Sequence, residues 1–291
     1  MQKIGTQMSG KIKVPDGKTV AVNFGFDFDA CSVWFSIGLK TQAGMSRGEF
    51  GAEVGVPRVL NLLDKYNIKA TFFTPGHTAD TFPEICKEVV RRGHEVAHHG
   101  YAHKNIAELS FEEETKEMEM GLEALQKIGV KPLGYRSPAW DYSPNTLKLI
   151  EKYGFKYDSS LMANDLYPYH PRYCEIHLDK ANVFGPPSKV IEIPPSWFLD
   201  DFPPSEYIKV GSARNLGLRS VDEIYGRWTS IFDYAVDNCP GAVFALTIHP
   251  QTIGRAHTIQ LLERVIQHMI LRNAWIARMD EIVDAYYEEE S

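Results

Sequence analysis

The chain lacks any stretch approaching the roughly eighteen consecutive apolar residues that cross a bilayer as a helix. Its first twenty residues, MQKIGTQMSGKIKVPDGKTV, hold no apolar core of a secretion signal. A cytoplasmic protein with no membrane partner is the expectation. Basic residues are in the minority, 31 Lys and Arg against 38 Asp and Glu for a formal charge of −7, and they form no dense run that would track phosphates. Nucleic acid is set aside as a partner on that ground. The four cysteines, Cys31, Cys86, Cys174 and Cys239, form no CxxC pair. Neither a disulfide framework nor a thiolate zinc site is expected, and the thiols read as reduced and buried. Internal repeats are absent, and low complexity is confined to the short acidic run EEE near the C-terminus.

What is present suits a sizeable core: 44% of the 291 residues are hydrophobic, 12% of all residues being aromatic. One α/β barrel of about 250 residues fits this length as well as two domains do. A short β-like run, a polar turn and a helical period recur along the chain, which is the pattern of parallel βα units. Strands are expected at TVAVNFGFDFDA, ATFF, HEVAHH, GYRSP, FKYDSS, VIEIP, AVFALTI and AWIAR. Helices are expected at VGVPRVLNLLDKY and PEICKEVVRRG, the latter stopped by Gly93, and from capping boxes at Ser110–Glu113 and Ser220–Glu223. Others are expected from Ser143-Pro144 to Gly154, around Thr258–Ile270 and at Glu281–Glu288. Residues 163–220, rich in Pro, Tyr and Asp, break the rhythm and read as an irregular excursion, a lid or an oligomer contact, around one strand. The domain reading is an N-terminal extension, 1–18, followed by a single distorted barrel over 19–291.

In such barrels reactive side chains gather at the carboxyl ends of the strands, where the βα loops converge. Asp27 and Asp29 end the first strand two residues apart and so share a face, with Phe28 packing the other way. Two anions so close call for a cation, a shared proton or strong donors; a solvated Asx turn is the alternative. Residues 93–103, GHEVAHHGYAH, carry four of the ten histidines. His99 and His103 have an HxxxH spacing, which on a helical turn puts both on one side. Two imidazoles and one carboxylate make a three-ligand metal site with positions left for water and substrate. His94 begins its strand, at the wrong end for chemistry, and His98 should point away from His99 into a packed layer. Arg136, in GYRSPAW, could orient a carboxylate and lower its pKa, an ordinary salt bridge being the alternative. His249, in LTIHP, ends an apolar strand and is a candidate general acid. Trp140 and Trp197 are candidate apolar walls of a substrate site, with Tyr101 beside them, and core packing is the competing role for the two tryptophans.

Taken in order and spacing, FDFDA, HGYAH, GYRSPAW and LTIHP resemble the polysaccharide deacetylase superfamily, carbohydrate esterase family four, whose fold is the NodB-homology domain. The resemblance runs over nearly the whole chain after about residue 18. GEFGAEVGVPR, TFFTPGH and PPSWFLDDFPP look like the intracellular subgroup typified by the Helicobacter peptidoglycan deacetylase. The resemblance implies a distorted (β/α) barrel of about seven parallel strands. It implies a divalent metal, most often zinc, on Asp29, His99 and His103, with Asp27 as base, His249 as acid and Arg136 as the tether of Asp27. The backbone N–H of Ala139 would help hold the oxyanion, and Asp158, in YDSS, falls where the family often has an acid that orients the catalytic histidine. The implied reaction is hydrolysis of a C–N amide bond in an N-acetylated sugar, and the subgroup suggests a homo-oligomer, a tetramer among the options. Two departures stand out. A Phe separates the aspartates that most members have adjacent, and Ala139 replaces an aromatic residue, although Trp140 follows. Both are compatible with the metal site and count against a long glycan groove. A metal-dependent cyclic imide or cyclic amide hydrolase, allantoinase-like, is the competing enzyme reading, and an idle scaffold on the same fold is the third.

Overall fold

Seven strands run parallel in one curled sheet whose order follows the chain except for its last member. The computed structural model describes residues 10–210 and 213–287. Residues 1–9 of the expected extension, and Glu288 at the end of the expected last helix, lie outside the described residues. The strands are β1 (Ala21–Asp27), β2 (Thr71–Thr74), β3 (Glu95–His98), β4 (Gly134–Tyr135), β5 (Tyr157–Asp158), β6 (Ile191–Glu192) and β7 (Val243–Ile248). Strand β7 pairs with β1, and β1 through β6 follow in sequence order. A short β8 (Trp275–Ile276) also pairs with the first two residues of β1. The architecture is a distorted (β/α) barrel.

Strand register aligns the functional ends. Asp27 lies opposite Phe73, Thr74 opposite His98, His98 opposite Tyr135, Tyr135 opposite Asp158, and Asp158 opposite Glu192. Beyond β6 the ring is continued by a single parallel bridge, Asp200 to Thr247 on β7. That bridge carries Asp200 and Asp201 to the mouth of the barrel.

Alternation along β1 divides the core into two layers. Val22, Phe24 and Phe26 point outward and are buried with Val59, Leu60 and Leu63 of helix Val56–Lys65, Trp228 and Phe232 of Val221–Asn238, and Leu262 and Val265 of Thr258–Leu271. Each fully buried Phe there contributes roughly 1.5–3 kcal/mol. Ala21 points inward to a second cluster with Phe73, Ala97, Tyr157, Val243 and Ala245. The same inward face holds Asn23, Gly25 and Asp27. Asn23 Nδ2 donates to Thr71 Oγ1 at 3.0 Å, and Thr71 and Tyr157 each donate to Glu95 at 2.8 Å, closing the amino-terminal end with polar groups. Gly25 leaves room for Arg136, since a Cβ there would lie 3.2 Å from both terminal guanidinium nitrogens.

Several local expectations are corrected. The helix expected from Ser143-Pro144 spans Thr146–Tyr153, because Thr146 Oγ1 accepts from the Ser143 N–H and forms a turn before it. At Ser220 the side chain accepts from Asp222 N rather than from Glu223, whereas Ser110 and Glu113 do form the reciprocal box. Cys174 is exposed on the hairpin strand Arg172–Glu175, while Cys31, Cys86 and Cys239 are buried. Between residues 163 and 220 lie the antiparallel hairpins Arg172–Glu175/Val183–Pro187 and Tyr207–Val210/Ala213–Leu216, with β6 between them. Among the described residues no helix is long and apolar enough to cross a membrane.

Candidate active site

The carboxyl ends of β1, β3, β4 and β7 bring Asp27, Asp29, His99, His103, Arg136 and His249 to one place. Asp29 Oδ1 stands 3.4 Å from His99 Nε2 and 3.8 Å from His103 Nε2. Asp29 and His99 are fully buried, and Asp29 Oδ1 and His99 Nε2 have no hydrogen-bond partner. Buried polar atoms left unpaired cost free energy, so a group that none of these side chains supplies has to satisfy them. The remaining bonds fix which nitrogen carries the lone pair. His99 Nδ1 contacts the carbonyl of Arg136 at 2.7 Å, so it must be the protonated nitrogen and Nε2 the free one. Ser36 Oγ uses its proton on the Val33 carbonyl and therefore accepts from His103 Nδ1 at 3.2 Å, which again leaves Nε2 facing Asp29. Burial lowers the pKa of both rings, that of His103 to about 3, so they are neutral donors at working pH. This donor set fits a divalent cation.

The HxxxH spacing does not lie on a helical turn. Residues 99–105 form a loop in which Gly100 has φ +68° and His103 φ +53°, and this backbone, unusual for a non-glycine residue, swings His103 back toward His99. Their ring centroids are 5.1 Å apart. His98 points the other way, as its strand position requires, with Nδ1 accepting from Gly100 N–H and Nε2 donating to Met118 O at 3.1 Å. His94, at the opposite end of β3, accepts from Ala70 N–H.

Beside this triad, Arg136 Nη1 donates to Asp27 Oδ1 at 2.5 Å, while its other nitrogens donate to Ser159 and its guanidinium lies 3.8 Å over the Phe73 ring. Burial opposes the charge on Asp27, but Arg136, with the charge of His249 added, outweighs it and holds this carboxyl below the usual range. Asp29 has no cation hydrogen-bonded to it, and the charge of His249, 3.7 Å from its Oδ2, lowers it only in part. Burial, with the charge of Asp27 added, raises it well above the usual range. The two aspartates are thus driven apart in character by one arginine.

His249 Nε2 faces the pair, 3.7 Å from Asp29 Oδ2 and 3.9 Å from Asp27 Oδ2. Its Nδ1 is 2.8 Å from Asp201 Oδ1, which also accepts the His249 backbone N–H at 3.0 Å. Burial alone would depress this imidazole; the Asp201 hydrogen bond and the charges of Asp200 and Asp201 reverse the effect and raise it well above its ordinary value. The protonated form of His249 is therefore favoured. Asp200, Asp201 and His249 also cluster closely enough to hold an ion, but the Asp201 carboxylate and His249 Nδ1 already satisfy each other, and the Phe202 N–H takes Asp200 Oδ1.

Asp158 does not orient His249. It lies on the far side of Arg136, where Tyr142 OH and Ser160 Oγ donate to it and Glu192 stands opposite in the register. Register explains the correction: Asp158 ends β5, and β6 and then the Asp200 bridge stand between that strand and β7. Tyr101 is taken up by helix Gly76–Thr81, its ring against His77 and its hydroxyl on Asp80 at 3.3 Å, so it does not join Trp140 and Trp197. Those two tryptophans do meet, with centroids 4.3 Å apart and Trp197 49% exposed. Ala139, exposed in the loop after Arg136, has φ 55° and ψ 15°. Sequence reasoning missed Ser36, Asp200, Asp201 and Gln251; adjacent acids inside the apolar run WFLDDF were the available signal for the Asp pair.

A model of the polysaccharide deacetylase family matches residues 48–157. A peptidoglycan deacetylase of Helicobacter pylori is 36% identical over 285 residues, covering 92% of this chain and 97% of its own. A solved structure from Mycobacterium smegmatis, assigned to the polysaccharide deacetylases, superposes with a TM-score of 0.81 at 34% identity, covering 96% of this chain and 94% of its own. An allantoinase structure shares the fold at a TM-score of 0.74 and 20% identity, over 97% of this chain and 94% of its own.

Proposed function

The chain belongs to the polysaccharide deacetylase family, and from that premise we propose that it is a metal-dependent N-deacetylase hydrolysing the C–N amide bond of an N-acetylated sugar of peptidoglycan type. The observation that carries this reading is the convergence of Asp29 Oδ1 and His99 Nε2, both buried and unpartnered, with His103 Nε2. Asp29, His99 and His103 would hold the divalent cation. When bound, it supplies Lewis-acid polarisation of the amide carbonyl and acidifies a water molecule.

The protein's own groups divide the proton work. Asp27, kept ionised by Arg136, takes the proton of the attacking water. His249, kept protonated by Asp201, gives its Nε2 proton to the departing nitrogen, which would otherwise leave as an anion. The Ala139 N–H is the donor assigned to the oxyanion. Trp140 and Trp197 offer an apolar wall against which the sugar face can lie.

The test is incubation of the protein, loaded with Zn²⁺ or Co²⁺, with N-acetylchitooligosaccharides on one side and succinimide or dihydrouracil on the other. Acetate release from the sugars, abolished by a chelator and restored by the metal, is expected. Turnover of the rings alone would replace the sugar reading with a cyclic amidase.

A further inference from the structure

Asp29 needs a donor on the oxygen that faces away from His99 and His103, and Gln251 supplies it. Gln251 Nε2 lies 3.4 Å from Asp29 Oδ2 and, among the described residues, makes the one side-chain hydrogen bond to that carboxylate. The Gln251 side chain is fully buried, and its own Oε1 has no partner. A buried amide with an orphaned oxygen is a poor choice for stability alone, because an apolar side chain of the same shape would avoid the desolvation cost.

The backbone around Gln251 is shaped to bring it there. It lies on the short helix Pro250–Ile253 that His249 opens. That helix docks on the π-helical segment Gly51–Gly55, and the two glycines make the contact possible. A Cβ at Gly51 would fall 2.9 Å from Gln251 Cβ, and one at Gly55 would fall 2.2 Å from the Pro250 carbonyl oxygen. Gly254 closes the same junction, since a Cβ there would meet Gly55 Cα at 2.5 Å. GEFGAEVG in the helical connection after β1 and HPQTIG after β7 are therefore one packing unit, and Gln251 is its tip.

We infer that Gln251 is a positioning residue for the metal centre: it ties up Asp29 Oδ2 so that Oδ1 alone faces the His99 and His103 lone pairs, and Gly51 makes the space for it. The choice of an amide is chemically specific. A cation hydrogen-bonded to Asp29, as Arg136 is to Asp27, would compete with the metal for the carboxylate, whereas a neutral N–H donor orients Asp29 and leaves its charge for the metal, the His249 ring standing off at 3.7 Å from Oδ2. The inference rests on the reading of Asp29, His99 and His103 as ligands.

The experiment compares wild type, Gln251→Met and Gln251→Asn. Met keeps the length and volume without the donor, and Asn keeps the amide but cannot reach. Zn²⁺ and Co²⁺ dissociation constants are measured by competition with a chelator, and thermal unfolding is followed on the metal-free proteins. The expected result is metal binding weakened about 10- to 100-fold in both variants, with the metal-free Gln251→Met protein unfolding no earlier than wild type. Wild-type affinity in the folded variants would overturn the inference while leaving the ligand set standing. Failure of the wild type itself to bind either metal would overturn the ligand set and the inference together.

Discussion

Asp201 accepts hydrogen bonds from both the backbone N–H and the Nδ1 of His249, at 3.0 and 2.8 Å, so one carboxylate fixes where this imidazole stands and which state it favours. An Asn at 201 can preserve the accepting oxygen but not the charge that favours imidazolium. Asp201→Asn should lower kcat about 10²-fold or more with metal content unchanged. Asp158→Asn, on the far side of Arg136, should leave kcat close to wild type in the folded protein. Equal losses in the two variants would return Asp158 to the role of orienting His249.

Asp27 and Asp29 separate by the same logic. On the proposed reading, removing the charge of Asp29 deletes a ligand, whereas removing that of Asp27 deletes a base whose partner is Arg136. Asp29→Asn should be purified with little bound metal. Asp27→Asn should retain the metal and lose turnover about 10²- to 10⁴-fold. Metal analysis beside acetate release checks both, and equal metal content in wild type and Asp29→Asn would refute the ligand assignment.

Arg136 is fully buried and meets a buried carboxylate, a geometry in which loss of one partner leaves an uncompensated charge. Arg136→Met should therefore cost about 3–5 kcal/mol in urea unfolding. Adding Asp27→Asn removes the stranded charge, and the double variant should lose less than the sum of the single losses. Additive losses would mean that the pair is not coupled and that Arg136 acts through Ser159 and Phe73 alone.

The main constellation was legible because it obeys two local rules. Period-two alternation put Asp27 and Asp29 on one face, and each other candidate followed the apolar run of its own strand. The partner of His249 obeyed neither. Asp201 reaches β7 through one isolated bridge from a stretch without periodicity, and a single non-local pairing leaves no pattern to read. The HxxxH spacing was ambiguous in a different way. Four residues return to one side on a helical turn, but here a loop with two positive φ values brings them back, and Gly100 was the one local hint. Gln251 gave still less, because its placement depends on packing against two glycines about two hundred residues away. The helix at Thr146 began later than its proline suggested because side-chain hydrogen bonds from Ser143 and Thr146 compete with helix at that point.

At the other end of the barrel, Glu95 links stability to pH independently of the site. It is buried, accepts from Thr71, Tyr157 and the Asp280 N–H, and stands near the charge of Asp280, with Arg278 paired to Asp280 beyond. Burial, with Asp280 adding to it, pushes its pKa from 4.5 up to about 7. The folded state therefore holds this proton more tightly than the unfolded chain does. The resulting stabilisation is complete below pH 4.5 and is lost as pH rises through about 7. Its size is on the order of 3 kcal/mol. Glu95→Gln removes the titration while still offering an acceptor to Thr71 and Asp280, and the Tyr157 hydroxyl can turn to accept from the new amide. The wild type should lose more stability than Glu95→Gln between pH 5 and pH 8, read as the shift of the urea midpoint at each pH. Other buried acids such as Glu192 and Asp200 titrate in both proteins, so the difference between the two slopes belongs to Glu95. Parallel slopes would show that Glu95 is ionised throughout and that its three donors outweigh its burial.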